Sequence, residues 1–294
     1  MFGVELLDAR VVAVSVDDRG RVLGRESAES RGDLGVAARA ALGSLKAPSG
    51  AVLGVASASP ESDAVMAALK ALGGEYPGSY THAGATPSGT AAAVAEALLG
   101  AGRGVNDILF FAVAEHTTGG IVRAGAPVAG SHSRAASVGW LALNPVERED
   151  YRKIGCLEAE VAAAGIVRRL VWRIKSGDRS SVQDVVKQDL SGITVQHVLD
   201  GARARDGVCV SVVRDTAKYL GMAAANLVVV ADPEMLILGG IMASAADLLL
   251  DLVRAELTRR LPRAILEALT IAPAALGDDA AAIGAARLAA AALR

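Results

Sequence analysis

The segment 86–96 opens with small polar residues and continues as a run rich in alanine. Pro87 suits the first turn of a helix, the hydroxyl of Thr86 or Ser88 can cap it, and alanine propagates it. A reaction that takes a proton from a hydroxyl group needs a base within hydrogen-bonding distance. Because a serine hydroxyl is a poor base near pH 7, the segment predicts a helix that begins without a competent general base.

Composition limits the class of protein and its partners. Of the 294 residues, 52% are hydrophobic and 21% are charged, and the formal net charge is −2. A chain of this length can form two lobes with sizeable cores. The most basic stretch, 168–175, alternates with apolar residues, which is typical of a solvated helix face and not of a nucleic-acid site. No apolar run reaches the roughly 18–20 residues of a membrane span.

Cysteine content and the N-terminus predict a cytoplasmic protein. The two cysteines, Cys156 and Cys209, provide no disulfide framework and suit a reducing compartment. The chain enters a predicted strand almost at once, which leaves no room for a signal peptide.

Hydrophobic periodicity predicts an α/β protein in which two blocks of antiparallel strands are each followed by alternating helices and strands. We expect an N-terminal lobe over 1–113, with a C-terminal helix 283–294 packing back on it, and a C-terminal lobe over 114–282. The predicted strands are 3–7, 11–16, 22–27, 51–56, 108–113, 119–123, 139–143 and 235–238, and the predicted helices are 33–45, 62–72, 86–99, 156–174, 195–204, 208–228, 246–260 and 280–293.

Four motifs in order carry a resemblance to a known family. They are Gly155-Cys156-Leu157-Glu158, the helix 219–227 with the turn 232–234, the glycine pair that follows Leu238, and the closing segment 276–286. Together they resemble the ROK family of repressors, open reading frames and sugar kinases. The resemblance extends over 3–290 and is strongest after Gly155. It implies a two-lobe, actin-like (ribonuclease H-like) ATPase fold.

The resemblance implies four functional places, and this chain departs from the family pattern at each of them. In the first phosphate hairpin, Glu5 keeps an acid and Arg10 replaces a lysine, but Leu7 and Asp8 replace glycines; a plain β-hairpin is the competing interpretation. The second loop, 114–120, retains two glycines, but Glu115 adds a negative charge that opposes triphosphate binding. A simple strand-turn-strand with exposed polar residues is the competing interpretation there.

The other two places are the base and the sugar and zinc segment. Ser88 stands at the position of the family's catalytic aspartate, with Glu115 and Asp107 as substitutes that the sequence does not place near a hydroxyl. Trp140 replaces a histidine and would stack on a sugar ring or fill the core. One retained thiolate cannot hold a structural zinc, which needs four ligands, so Cys156 is predicted to be a small buried residue.

The candidate site residues implied by the resemblance fall into four groups. They are Ser88 for catalysis; Glu5, Arg10, Gly119, Gly120, Gly239 and Gly240 for a nucleotide; Pro87, Ser137, Trp140 and Glu158 for a sugar; and Cys156 as the one cysteine retained from the zinc motif.

The leading hypothesis is a ROK-like pseudokinase that binds a sugar or related metabolite or acts as a regulatory partner, with neither a cofactor nor zinc. The alternative is an ATP-dependent hexose or amino-sugar kinase, similar to a glucokinase, that uses ATP and magnesium. A repressor is the third hypothesis; the chain starts at the first strand of the lobe, which leaves no winged helix-turn-helix, and the net charge disfavours DNA. We expect a homodimer, by resemblance, and no nucleic-acid or membrane partner.

Overall fold

The first sheet of the computed structural model combines antiparallel and parallel pairing. The structure describes residues 1–76 and 84–292. β1, β2 and β3 pair antiparallel, whereas β4 joins β1 and β5 joins β4 in parallel, giving the order β3-β2-β1-β4-β5. These strands are β1 (Phe2–Leu6), β2 (Arg10–Val16), β3 (Val22–Glu29), β4 (Leu53–Ser57) and β5 (Thr86–Pro87).

The second sheet repeats this arrangement. β6, β7 and β8 pair antiparallel, whereas β9 joins β6 and β10 joins β9 in parallel, giving the order β10-β9-β6-β7-β8. These strands are β6 (Ile108–Val113), β7 (Thr117–Arg123), β8 (Ala126–Pro127), β9 (Met235–Gly240) and β10 (Thr270–Pro273). The predicted α/β class, with its two similar halves, is confirmed.

The helices cover both sheets. α1 and α2 share a core with the first sheet, α9 and α11 share one with the second, and α3 and α13 pack together between the sheets. The helices are α1 (Leu34–Ser44), α2 (Asp63–Gly73), α3 (Ser88–Leu99), α4 (Glu149–Ile154), α5 (Cys156–Val161), α6 (Ala163–Lys175), α7 (Val182–Val185), α8 (Val195–Arg203), α9 (Gly207–Ala231), α10 (Ile241–Ser244), α11 (Ala246–Arg260), α12 (Arg263–Ala268) and α13 (Ala280–Ala292). Within the described ranges, no helix is both long enough and apolar enough to cross a bilayer.

The position of α3 is fixed at its C-terminal end by a buried carboxylate. Glu96 is fully buried and accepts hydrogen bonds from the backbone N–H groups of Ala101, Ala275 and Leu276 at 2.8, 2.9 and 2.9 Å. It therefore ties the end of α3 to the segment that leads into α13. Residues 293–294 of the predicted C-terminal helix lie outside the described residues.

Close packing of α3 on α13 leads to a stability prediction. A Cβ at Gly284 would lie 1.8 Å from the carbonyl oxygen of Ala91. Gly284→Ala is therefore expected to lower the free energy of unfolding by about 1–3 kcal/mol. The matched control is Gly43→Ala at an exposed position of α1, where a Cβ would meet no described atom within 4 Å and alanine should add roughly 0.5–1 kcal/mol. Urea unfolding of both variants checks this, and equal stability of Gly284→Ala and wild type would contradict the close approach.

Two predicted elements of the second half are corrected. The predicted strand 139–143 is instead a 3₁₀ turn, Val138–Trp140, whose backbone packs so closely on Gly155 that a Cβ there would lie 2.3 Å from the carbonyl oxygen of Gly139. The single helix predicted over 156–174 is divided into α5 and α6. The extended residue Ala162 separates them, and the N–H of Ala163 instead donates to the carbonyl of Ala114 at 3.0 Å.

The predicted lobe boundary also needs an adjustment. A division after residue 113 would place β6 in the first lobe, but β6 pairs with β7 and β9 in the second sheet. The strand pairing assigns β5 to the first sheet and β6 to the second. We therefore propose that the lobes divide between α3 and β6.

Candidate functional site

A cavity of about 500 Å³ lies between residues contributed by both sheets. From the first sheet, Asp8, Ser59 and Ser88 reach it just after the carboxyl ends of the parallel strands β1, β4 and β5. From the second sheet, the β6–β7 turn faces it, and the 135–140 segment with α4, α5 and α6 completes the wall. Ligands of α/β proteins commonly bind at the carboxyl ends of parallel strands, so this cavity is the candidate site.

The start of α3 supplies one unpaired hydroxyl, that of Ser88, to the cavity wall. Ser88 is the first residue of α3 and is 4% exposed. Pro87 is the N-cap, and no side chain caps the helix, so the predicted capping by Thr86 or Ser88 is wrong. Within the described residues, the Oγ of Ser88 and the Oγ1 of Thr86 are buried without a hydrogen-bond partner. Buried polar atoms in native proteins nearly always have a partner, often water or a ligand.

Two predicted glycines serve the packing of α3 on β7. A Cβ at Gly89 would lie 2.1 Å from the carbonyl oxygen of Gly119, and a Cβ at Gly120 would lie 2.1 Å from that of Gly89. The first turn of α3 can approach β7 this closely because Gly89 and Gly120 lack a side chain. A Cβ at Gly119 would instead lie 2.5 Å from Cγ1 of Val138. Gly119 also lines the cavity, whereas Gly120 does not.

His116 joins the turns of the two sheets across the cavity. It lies in the β6–β7 turn, where its Nδ1 is 2.8 Å from Oε1 of Glu158 in α5 and its Nε2 is 3.1 Å from Oδ2 of Asp8 in the β1–β2 turn. The other oxygen of Glu158 accepts a 2.6 Å hydrogen bond from the Thr117 N–H. Because both ring nitrogens face carboxylates, both must donate, and His116 is an imidazolium. The hydrogen bond to Glu158, followed by that to Asp8, raises the pKa of His116 to about 9 against the opposing effect of burial.

The charge at the two turns disfavours a polyphosphate. Asp8 and Glu115 both line the cavity, and one carboxylate oxygen of Glu115 is buried without a partner among the described residues. A triphosphate placed here would face these carboxylates as a like charge. The contact between His116 and Asp8 also spans the space between the turns. In this arrangement Asp8 and Glu115 oppose phosphate oxygens at the two turns, whereas the cations His116, Lys153 and Arg168 line the same cavity.

Glu5 and Arg10, predicted to face a nucleotide, are not among the residues that line the cavity. Glu5 is buried in β1, and this burial raises its pKa to about 7. The nearby hydroxyl of Ser88 opposes the shift, although no hydrogen bond of normal geometry joins the two side chains. Arg10 pairs with Asp278 at 3.0 Å, which directs its guanidinium to the segment before α13.

Gly239 and Gly240, predicted for the adenosine side of a nucleotide, lie at the end of β9 opposite Ala112 and Val113 of β6. Gly240 has a φ of +60°, and a Cβ there would lie 1.9 Å from the carbonyl oxygen of Val113. Both glycines are outside the cavity lining. A glycine is needed at position 240 because the chain turns there from β9 into α10.

The predicted sugar-side residues Pro87, Ser137, Trp140 and Glu158 all line the cavity. Trp140 is 58% exposed, so the interpretation of its ring as a core-filling aromatic is wrong. Because its ring borders the cavity, it offers an aromatic surface to a ligand. Ser137 donates its hydroxyl to the carbonyl of Arg134 at 2.8 Å.

The zinc motif is replaced by a different set of contacts. Cys156 is buried against Tyr151 and Ala159. Among the described residues, no group of three or more His, Cys, Asp or Glu side chains could hold a metal ion. A structural zinc needs four ligands, so the residues present do not fit it.

An ion cluster centred on Glu160 holds this segment together. Glu160 is buried and accepts hydrogen bonds from Arg148 at 3.0 Å, from Arg169 at 2.6 Å and from the hydroxyl of Tyr151. Arg169 also donates to Oγ1 of Thr216 in α9 at 3.0 Å. The carboxylate therefore joins α4 and the chain before it to α6 and, through α6, to α9.

Several cavity residues were not predicted from the sequence. His116 was interpreted as an exposed residue of a turn, and Lys153 and Arg168 were assigned no role in the site, yet all three line the cavity. The available signal was a histidine next to Glu115 in the second loop, 114–120, where the resemblance implies a phosphate site. Its acidic partners, Asp8 and Glu158, are remote in the sequence.

Comparisons with known proteins give the family. The ROK family model matches residues 88–292. A glucokinase of Halalkalibacterium halodurans is 32% identical over 197 residues, which are 66% of this chain and 59% of that protein. The DNA-binding transcriptional dual regulator NagC of Escherichia coli is 25% identical over 194 residues, 66% of this chain and 46% of that protein. The chain therefore matches about three fifths of the length of this glucokinase and less than half of the length of NagC.

A solved structure gives the fold. The ROK family glucokinase from Streptomyces griseus, in complex with glucose and AMPPNP, superposes with a TM-score of 0.81 at 22% identity and covers 99% of both chains. The predicted two-lobe, actin-like ATPase fold is thereby confirmed. With its family model matched over most of its length and its fold shared with a family member, this chain belongs to the ROK family.

Proposed function

We propose that this protein binds a small polyhydroxylated ligand, such as a sugar, in the cavity between its lobes and does not transfer a phosphoryl group to it. The observation that carries the proposal is Ser88 at the first position of α3, at the place where the family's base is expected. A serine hydroxyl cannot accept the proton that a sugar hydroxyl loses during phosphorylation near pH 7. The Asp8–His116 contact supports the same conclusion, because it occupies the space between the two turns.

The cavity is suited to a polar ligand of modest size. Its wall carries hydroxyls of Ser88 and Thr117 that have no partner among the described residues, and the indole of Trp140 borders it. Aromatic surface beside convergent polar groups is the usual composition of a small-molecule site. The repressor relative supports a regulatory use of such binding. A homodimer and a cytoplasmic location stay predictions.

A sugar kinase is the second candidate. The glucokinase relative supports it, and so does the unpartnered oxygen of Glu115, a carboxylate in the cavity wall. For this function the turns would have to separate, so that Asp8 leaves His116 and Glu115 reaches a ligand hydroxyl. ATP with magnesium would then be the cosubstrate.

A phosphorylation assay separates the two candidates. Purified protein with ATP, magnesium and a panel of hexoses and amino sugars should form ADP at least ~10²-fold more slowly than the Halalkalibacterium halodurans glucokinase, because general-base catalysis contributes that much or more. Sugar-dependent ADP formation at the rate of that enzyme would refute the proposal and favour the kinase.

A thermal-shift assay with the same sugars tests binding. A ligand that binds the folded state raises the unfolding midpoint by mass action. We expect a shift with at least one sugar, loss of the shift in Trp140→Ala, and retention in the control Trp172→Ala, whose side chain is exposed on α6 outside the cavity lining. Absence of a shift with every sugar would contradict ligand binding.

A further inference from the structure

We propose that Asp8, His116 and Glu158 form a latch across the cleft, so that a ligand engaging the Glu158 carboxylate must displace His116 and release the β1–β2 turn. The proposal rests on the proposed function for the identity of the ligand. The latch itself is a property of the free protein and is tested separately.

Glu158 is largely buried and has both carboxylate oxygens occupied when the latch is closed. Its side chain is 12% exposed, and both oxygens are already engaged, one with the His116 ring and the other with the Thr117 N–H. A carboxylate in this state has little accessible surface for a further donor. A ligand hydroxyl therefore competes with His116 for Oε1 of Glu158.

His116 connects Glu158 to the first sheet. The ring of His116 binds Glu158 through one nitrogen and Asp8 through the other, and Asp8 follows β1 of the first sheet. Rotation of the ring away from Glu158 therefore also breaks the contact with Asp8. Since the side chain of Asp8 is 74% exposed, water replaces that contact at small cost. Ligand binding and release of the turn become one event.

The other charged groups of the cavity do not compete with Asp8 and Glu158 for His116. Glu115, Lys153 and Arg168 line the same cavity. Lys153 pairs with Glu149 at 2.7 Å, and Arg168 pairs with Asp150 at 2.6 Å, so both cations are engaged away from the latch.

A second contact across the cleft mouth provides a matched control. Arg134, in the segment that leads to Trp140, pairs with Glu61 from the loop after β4 through two nitrogens at 2.7–3.0 Å. This pair is exposed and includes neither His116 nor Glu158. Glu61→Gln therefore weakens a cross-cleft contact without affecting the latch.

Hydrogen exchange in the ligand-free protein tests the latch. Asp8→Asn is expected to speed amide exchange in residues 7–10 and 115–118 by about two- to fivefold, the effect of losing one largely exposed ion pair. Glu61→Gln should leave these segments unchanged. Unaltered exchange in Asp8→Asn, or an equal change in Glu61→Gln, would overturn the latch.

Calorimetric titration with glucose and N-acetylglucosamine tests the coupling to a ligand. Asp8→Asn should bind the sugar about two- to fivefold more tightly than wild type, and this gain should vanish in a His116→Ala background, where no latch remains. A gain that persists in that background would overturn the coupling. If no variant binds either sugar, the coupling to these ligands fails with the proposed function, whereas hydrogen exchange still decides on the latch.

Discussion

Replacing Glu160 with alanine is expected to lower the free energy of unfolding by about 3–5 kcal/mol. The change removes the shared acceptor of Arg148, Arg169 and Tyr151 and leaves two guanidinium groups without their carboxylate. The side chain of Arg169 is only 16% exposed, so water cannot fully replace the lost partner. Removing one member of a buried ion pair is costly because the desolvated charge of the other remains.

Urea unfolding of Glu160→Ala beside Glu149→Ala measures this effect. Glu149 pairs with Lys153 at 2.7 Å, but both side chains are largely exposed, and such a pair contributes at most about 1 kcal/mol. A chelator should leave the unfolding midpoint of the wild-type protein unchanged, because the cluster and not a zinc ion holds this segment. Equal stability of the two variants, or a midpoint that falls with chelator, would contradict this account.

The cluster also matters for the site, because α4 carries Lys153 and Ile154 to the cavity wall. Within α4, Tyr151 is buried and donates to Glu160. Glu160 and its three donors, Arg148, Tyr151 and Arg169, thus position this segment as a four-ligand metal would in a chain with the complete motif. The ion cluster thus explains how the cavity wall is kept although the zinc motif is lost.

The sequence predicted the features that depend on local pattern. Hydrophobic periodicity located most strands and helices, and the order of the motifs after Gly155 predicted the fold. Ser88, Trp140 and Glu158, which the resemblance assigns to one site, line the same cavity, and their roles there stay predictions.

What the sequence could not predict are contacts between distant segments. The ring of His116 meets Asp8 and Glu158, residues that no periodicity connects. The break at Ala162 likewise depends on a tertiary hydrogen bond, from the N–H of Ala163 to the carbonyl of Ala114, and a helical pattern alone extends through it. The interpretation of Trp140 as a core residue failed for a related reason, since composition does not tell whether an aromatic ring borders a core or a cavity.

Replacing Glu5 with glutamine is expected to stabilise the protein by about 3 kcal/mol at pH 8 and to have little effect at or below pH 4. Burial raises the pKa of Glu5 from 4.5 to about 7, so the folded state holds this proton more tightly than the unfolded chain. The favourable contribution of the protonated form is complete below pH 4.5 and is lost as the pH rises through 7. A pKa difference of about 2.5 units corresponds to about 3 kcal/mol. Glutamine resembles the protonated carboxyl at every pH.

Urea unfolding of wild type and Glu5→Gln from pH 4 to 8 measures the difference, with Glu29→Gln at an exposed position of β3 as the control. The gap between wild type and Glu5→Gln should widen between pH 5 and 8, whereas that of the control should stay constant. Parallel pH profiles for wild type and Glu5→Gln would show that Glu5 is ionised in the folded state without penalty.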